Sequence, residues 1–276
     1  MWFLTAIFQA VAQAVTWVLP VSESGHSAIF GSELTGLVHI GIALGIFLVF
    51  IKLFVRLFGE FIAFFKDAFA KQNPFVNPGG ARRFMFGTVL GFLPMVLLLL
   101  PAGKYGNVYG LFRSMGYNGT LLDEGVFFAL TGGLILLALL QMKKHGPQKN
   151  VDWYAALILG FAAAFSLPIA GLSYMGVLFC LGVMMGVARK ISYRFAAVSS
   201  VLTLLVLGMV EICTCVTYVN IIAGILAVVL SAAVTYFMVK LMLWILHGGK
   251  LKAFAYYDFA LAGVCVVVGI FELILR

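Results

Sequence analysis

Leu19-Pro20-Val21-Ser22-Glu23-Ser24-Gly25-His26 interrupts an apolar run that begins at Trp2, and the reading of this break decides the fold. A carboxylate, an imidazole and two hydroxyls fall between Ser22 and His26, flanked on both sides by sequence greasy enough for hydrocarbon. Ionisable groups are costly there and mark functional sites. The flanking pieces, 2–19 and Ser27–Phe30, are each too short to cross about 30 Å of hydrocarbon as a straight helix. Residues 2–33 are therefore expected to form a re-entrant helix pair, tolerated where its bend is buried in protein or lines a wet cavity.

The rest of the composition agrees with that setting. The 276 residues are 63% hydrophobic and 10% charged, with a mean hydropathy of +1.12, more apolar side chain than one soluble core can hide. The apolar stretches recur at lengths near the roughly 20 residues of a spanning helix, without the short alternation of a membrane barrel. The expected fold class is all-α integral membrane. The net charge of +8 does not indicate a nucleic-acid partner, because the basic residues cluster in short loops between spans, as the positive-inside rule requires. Trp2 to Leu19 follow no basic leader and end at no small-residue cleavage site, so they read as part of the fold rather than a signal peptide. Cys180, Cys213, Cys215 and Cys265 read as small packing residues, since Cys213 and Cys215 are too close to bridge comfortably and have no second Cys or His cluster for zinc.

Taken in order, a span is expected from Thr35 to about Phe58, then a loop with Lys66, Lys71, Pro74, Arg82 and Arg83 against Glu60 and Asp67. Spans follow at about Phe84–Leu100 and Gly125–Leu140, separated by a polar loop with Lys104, Asn107, Arg113 and Asn118 that leads to Asp123 and Glu124. Loops 59–83 and 142–152, the latter with Lys143, Lys144, His145 and Lys149, lie two spans apart and share a cytoplasmic side. The pattern then repeats. Residues 153–167 end at a second Pro/Gly break, Leu167-Pro168-Ile169-Ala170-Gly171-Leu172-Ser173-Tyr174, and the piece after it ends at Arg189, Lys190 and Arg194. Three spans complete the chain, about 195–212, 217–240 and 254–275, with Lys250 and Lys252 between the last two. One membrane domain results, built as an inverted repeat of about 1–141 and 153–276, each half one re-entrant helix pair plus three transmembrane helices. The two broken tips should meet near the midplane, where transporters of this plan hold their ligands.

Each break frees backbone N–H groups that, with the helix dipole, form an anion site. Ser22 and Ser24 can cap and donate to phosphate oxygens, and Gly25 admits a close backbone approach. His26 can bind phosphate, act as acid or base, or attack as a nucleophile; the plain alternative is a hydrogen-bonded packing histidine. Glu23 can pair with His26, hold a divalent cation, or face water. His39 and Gln13 can face the same cavity or bond another helix. At the second break Ser173 and Tyr174 offer hydroxyls and Gly171 backbone access. Gly182 and Gly186 read as a helix-packing pair, and Glu211 as a snorkelling or interfacial acid.

The first break resembles the LPVSSSGH signature of the bacterial undecaprenyl-pyrophosphate phosphatase family, the bacitracin-resistance type. Val38-His39-Ile40-Gly41 resembles the family's HLG element, and Gly171-Leu172-Ser173 followed by Gly182 through Arg189 resembles its second motif and the helix after it. The resemblance implies six spans and two re-entrant pairs, a location in the bacterial cytoplasmic membrane, and removal of the terminal phosphate from undecaprenyl pyrophosphate to recycle the cell-wall lipid carrier. By the same resemblance Ser22, Gly25, His26 and Ser173 match active-site positions. Gln13 matches one acidic-or-amide position, but Trp17 stands where a catalytic Glu is expected. In the PGxSRSxxT motif, Tyr174 replaces the arginine, Met175 the second serine and Leu178 the threonine, and in the first motif Glu23 replaces a serine.

Losing an arginine fork and a carboxylate beside a pyrophosphate removes positioning and charge stabilisation, which carry most phosphoryl-transfer catalysis. The reading favoured on these residues is a non-hydrolysing protein that binds a polyprenyl phosphate or pyrophosphate at the midplane and moves it between leaflets. The alternative is an active undecaprenyl-pyrophosphate phosphatase, with His26 and Glu23 catalytic and Gln13, Ser22, Ser24, Gly25, His39, Gly171, Ser173 and Tyr174 binding substrate; no metal-ligating residue is assigned, and Mg²⁺ or Ca²⁺ is left open for the hydrolytic case. The expected partners are the lipid carrier and the membrane, with a homodimer left open.

Overall fold

The computed structural model describes residues 2–31, 34–71, 73, 75, 78–116, 119–142, 150–214, 220–248 and 250–275. Lys143, Lys144, His145, Lys149, Asn118, Pro74 and Cys215 lie outside these described residues. Twelve α-helices run in order through the described residues: α1 (Trp2–Val18), α2 (Glu23–Phe30), α3 (Thr35–Val49), α4 (Ile51–Phe69), α5 (Gly80–Val96), α6 (Val108–Gly116), α7 (Leu122–Met142), α8 (Trp153–Ser166), α9 (Tyr174–Met184), α10 (Arg189–Thr214), α11 (Ile221–Gly248) and α12 (Lys252–Ile274). The chain is an all-α integral membrane protein.

Five of these stretches are long and apolar enough to span a bilayer, Gly80–Leu99, Leu122–Met142, Arg189–Thr214, Ile221–Gly248 and Lys252–Ile274. A sixth crossing requires α3 and α4 together, and here the structure corrects the expected straight span from Thr35 to Phe58. The two helices meet at Phe50 with a bend of 86°. The reason lies in the sequence of α4, where Lys52, Arg56 and Glu60 recur every four residues and gather charge on one helix face. A helix with one charged and one apolar face is stable along an interface, not across hydrocarbon. Arg82 ties α4 to the start of α5, its Nε 3.1 Å from Glu60 Oε2 and its Nη1 2.6 Å from Asp67 Oδ2.

Both breaks form as helix pairs. Pro20 lacks an N–H and cannot continue α1, and Pro168 does the same after α8. The chain then turns and re-enters as α2 and α9. α1 lies on α11 and α8 on α5, while α3 packs on both α11 and α10 and α7 on α12. Glycines set these crossings close. A Cβ at Gly45 would lie 2.5 Å from the Ala232 carbonyl of α11, and one at Gly36 3.0 Å from the Gly208 carbonyl of α10. Gly182 likewise meets Ser192, but Gly186, with φ +87° and open space around it, serves the turn after α9 rather than helix packing. Cys180 and Cys265 are buried and unbridged, while Cys213 is exposed, so the packing expectation does not extend to it.

Candidate functional site

The two hairpin tips are built alike. Ser22 caps α2, its Oγ accepting from the Gly25 N–H at 3.1 Å, and Ser173 caps α9, accepting from the Gly176 N–H at 3.0 Å. The tips touch. A Cβ at Gly25 would lie 2.8 Å from Gly171 N, and Ser24 Oγ donates to the Ile169 carbonyl at 3.4 Å. Gly171 has φ +91°, and a Cβ there would sit 2.5 Å from the Glu124 carbonyl, so both backbone and space require glycine. Thr131 of α7 locks this second tip by donating to the Gly171 carbonyl at 3.1 Å and accepting from the Ser173 N–H at 3.2 Å.

Between the tips opens a cavity of about 280 Å³. The first tip contributes Glu23, Ser24 and Ser27; the second contributes Pro168, Ala170, Leu172 and Tyr174. Trp17 of α1, Thr35 and His39 of α3, Tyr109 and Arg113 of α6, Glu124 of α7 and Glu211 of α10 close the walls. His39 is the most organised group in it. Its Nδ1–H donates to Glu211 Oε2 at 2.8 Å, while Nε2, 3.9 Å from Glu23 Oε2, has no hydrogen-bond partner. Glu23 Oε1 instead accepts from the Ser27 hydroxyl at 2.7 Å. An imidazole on a cavity wall, oriented through one nitrogen by a carboxylate and with the other nitrogen unpartnered, is equipped to exchange a proton.

Trp17 and Tyr174, which stand where the resemblance places a glutamate and an arginine, are buried and stack with ring centroids 5.3 Å apart. The Tyr174 hydroxyl bonds Thr203 Oγ1 at 3.1 Å. An aromatic plate therefore fills the space that an ion pair would need.

Of the residues assigned to the site from sequence, Glu23, Ser24, His39 and Tyr174 come together on the cavity wall, while Gln13, Ser22, Gly25, His26, Gly171 and Ser173 do not line it. Ser22 and Ser173 are spent as helix caps, and Gly25 and Gly171 form the contact between tips. Gln13 donates to Thr35 Oγ1 at 3.2 Å and shares a separate small cleft with His26, Ser27 and Phe30. His26 does not pair with Glu23. Its Nδ1–H donates to the Ser22 carbonyl, and its Nε2 accepts from the Tyr257 hydroxyl of α12 at 2.7 Å. Glu211, read from sequence as an interfacial acid, is a cavity residue bonded to His39; Arg113 and Glu124 were read as loop charges only, and Tyr109 and Tyr257 were not read at all. Three of these five were visible only as charges near span ends, a signal that loops and sites share.

Among the described residues no group of three His, Cys, Asp or Glu side chains is disposed to hold a metal ion. His39 gives Nδ1 to Glu211 and separates it from Glu23. The donor set does not fit a protein-held Mg²⁺ or Ca²⁺.

A family profile described as bacitracin resistance protein BacA matches residues 6–264. An undecaprenyl-diphosphatase of Methanosphaera stadtmanae is 27% identical, with 99% of this chain and 97% of that protein aligned. An undecaprenyl-diphosphatase of Halothermothrix orenii is also 27% identical, over 98% and 96% of the two chains, and one of Methanococcus maripaludis is 26% identical over 90% and 93%.

Proposed function

The chain belongs to the bacitracin resistance protein BacA family, and on that premise we propose that it releases the terminal phosphate of a polyprenyl diphosphate lipid, undecaprenyl diphosphate by analogy with its relatives, in the cavity between the hairpin tips. Among the two readings drawn from sequence, the names of the relatives support this one over non-hydrolysing transport. The observation that carries it is His39 of the cavity wall, held through Nδ1 by Glu211 with its buried Nε2 left without a hydrogen-bond partner. In this reading Arg113 and the Ser24 hydroxyl meet phosphate oxygens. His39 Nε2 takes a proton from water as it adds to the terminal phosphorus; the P–O bond of the anhydride breaks and the lipid monophosphate leaves. We further propose that halves of about 1–141 and 153–276 are inverted copies within one domain, that the basic loops face the cytoplasm, and that the protein resides in the cytoplasmic membrane.

Phosphate release from undecaprenyl diphosphate in detergent tests the assignment. His39→Asn should lower kcat by about 100-fold or more, whereas His26→Ala, which removes a ring with both nitrogens engaged, should cost less. Loss of release in the His26 variant with release retained in the His39 variant would transfer the base to His26. The Trp17–Tyr174 stack favours a second reading, in which the lipid phosphate is carried between leaflets without cleavage. Absence of release from the wild-type protein, together with protein-dependent leaflet exchange of a fluorescent polyprenyl phosphate in liposomes, would establish that reading instead.

A further inference from the structure

Helix α4 has three faces, and the protein covers only one of them. Leu57 is buried against Met85 of α5 and Val198 of α10, and the Phe64 ring meets that of Phe86 edge-on at 5.5 Å. A second face is apolar and exposed. Ile51, Val55, Phe58, Ile62, Phe65 and Phe69 recur at intervals of three and four residues, which aligns them along one side of the helix. Beside that stripe runs a third face with Lys52, Arg56 and Lys66, all exposed.

The acids of the same helix do not offset these cations. Glu60 and Asp67 are both engaged by Arg82 at the start of α5. Among the described residues Lys52, Arg56 and Lys66 have no carboxylate partner. From Lys52 to Lys66 the row is about 21 Å long at the rise of an α-helix. Helix stability does not account for it, since the first turn of α4 holds Lys52 and no acid, the wrong sign for the helix dipole. Cations bordering an exposed apolar stripe suit the boundary between headgroups and acyl chains. A zwitterionic leaflet offers such a row no net charge, whereas an anionic one attracts each lysine or arginine.

We propose that α4 is a binding surface for anionic phospholipid, with Lys52, Arg56 and Lys66 receiving negatively charged headgroups while the stripe from Ile51 to Phe69 enters the acyl region. The proposal is independent of the chemistry in the cavity. It also gives the bend at Phe50 a purpose, because only a helix turned out of the span can bring this whole row to one depth.

The test offers the purified full chain, in a nonionic detergent, equimolar dioleoyl phosphatidylglycerol and dioleoyl phosphatidylcholine, with bound lipid counted by native mass spectrometry. Phosphatidylglycerol should be retained about tenfold over phosphatidylcholine, and the ratio should fall toward one at high salt. Lys52→Gln, Arg56→Gln and Lys66→Gln together should remove most of the preference, and Lys52→Arg with Lys66→Arg should keep it. Lys240→Gln, Lys250→Gln and Lys252→Gln together, which change exposed cations elsewhere, should leave it unaltered. Equal retention in the wild type, or a preference that survives the first triple change, would overturn the proposal. A photoactivatable phosphatidylglycerol in phosphatidylcholine liposomes asks the same question without a substitution. Its cross-links should fall on residues 51–69 several-fold more often than those of a photoactivatable phosphatidylcholine, and equal labelling there would overturn the proposal. An α4 shielded from both lipids in a dimeric protein would assign the face to a second copy and overturn it as well.

Discussion

After its cap the first hairpin tip continues Glu23-Ser24-Gly25-His26, whereas the second continues Tyr174-Met175-Gly176-Val177. The backbone device is the same in both, a serine whose Oγ accepts from the N–H of a glycine three residues on. What surrounds it differs. The first tip is polar and is tied to α12 by one side-chain bond, His26 to Tyr257, while the second is apolar and is held at its backbone by Thr131. Capping and turning preserve the shape of a break, so the side chains beyond the cap are free to diverge. One tip brings a carboxylate and a hydroxyl to the cavity; the other gives it an apolar floor.

The contact between tips is the first place to break the comparison. Gly171→Val should destabilise by about 4 kcal/mol, combining a disfavoured positive φ with overpacking against Glu124. The partner change Gly25→Ala meets only a spatial clash with Phe128 and Gly171 and should cost about 1–3 kcal/mol. Thermal unfolding in detergent compares them, and equal losses would mean that the two sides of the contact are equivalent. Next in size, His39→Leu leaves Glu211 and Glu23 without the ring between them and should cost about 3 kcal/mol by the same measurement. A stability unchanged by that substitution would show that the carboxylates do not need it. Thr131→Val should cost about 2 kcal/mol, since it removes a donor from the Gly171 carbonyl and an acceptor from the Ser173 N–H. The smallest expected effect is Tyr257→Phe, about 1 kcal/mol, because Tyr257 is partly exposed and supplies a single bond to His26. If Tyr257→Phe proved the more damaging of these last two, the first tip would be the more firmly held, reversing the contrast.

Both breaks were legible in the sequence because Pro20, Pro168, Ser22, Ser173 and Gly171 act on their own immediate backbone. Most spans were legible for a similar reason, as length and hydropathy are local sums. The straight span to Phe58 was not, because Lys52 and Arg56 are spaced widely enough for the apolar count to hide a charged face. The site was legible only in part. Glu23 and His26 are three residues apart, a spacing that usually places side chains on one helix face. Their partners decide otherwise: Ser27 draws Glu23 along the helix toward the cavity, while the Ser22 carbonyl and Tyr257 turn His26 away from it. Glu211 reaches His39 across 172 residues of chain, and no local pattern announces such a meeting.

The turn at Phe50 also bears on the bilayer itself. With 15 residues, α3 is about 22 Å long, against about 30 Å of hydrocarbon. Leu44 and Leu48 on α3 are exposed, so lipid tails meet this short face directly. Hydrophobic mismatch of this kind thins the adjoining leaflets. A headgroup drifting along that side of the protein has roughly 8 Å less oil to cross than it would elsewhere. A lipid-facing helix this short is expected to draw the adjoining bilayer thinner beside His39, which a measurement of local bilayer thickness around the reconstituted protein would check.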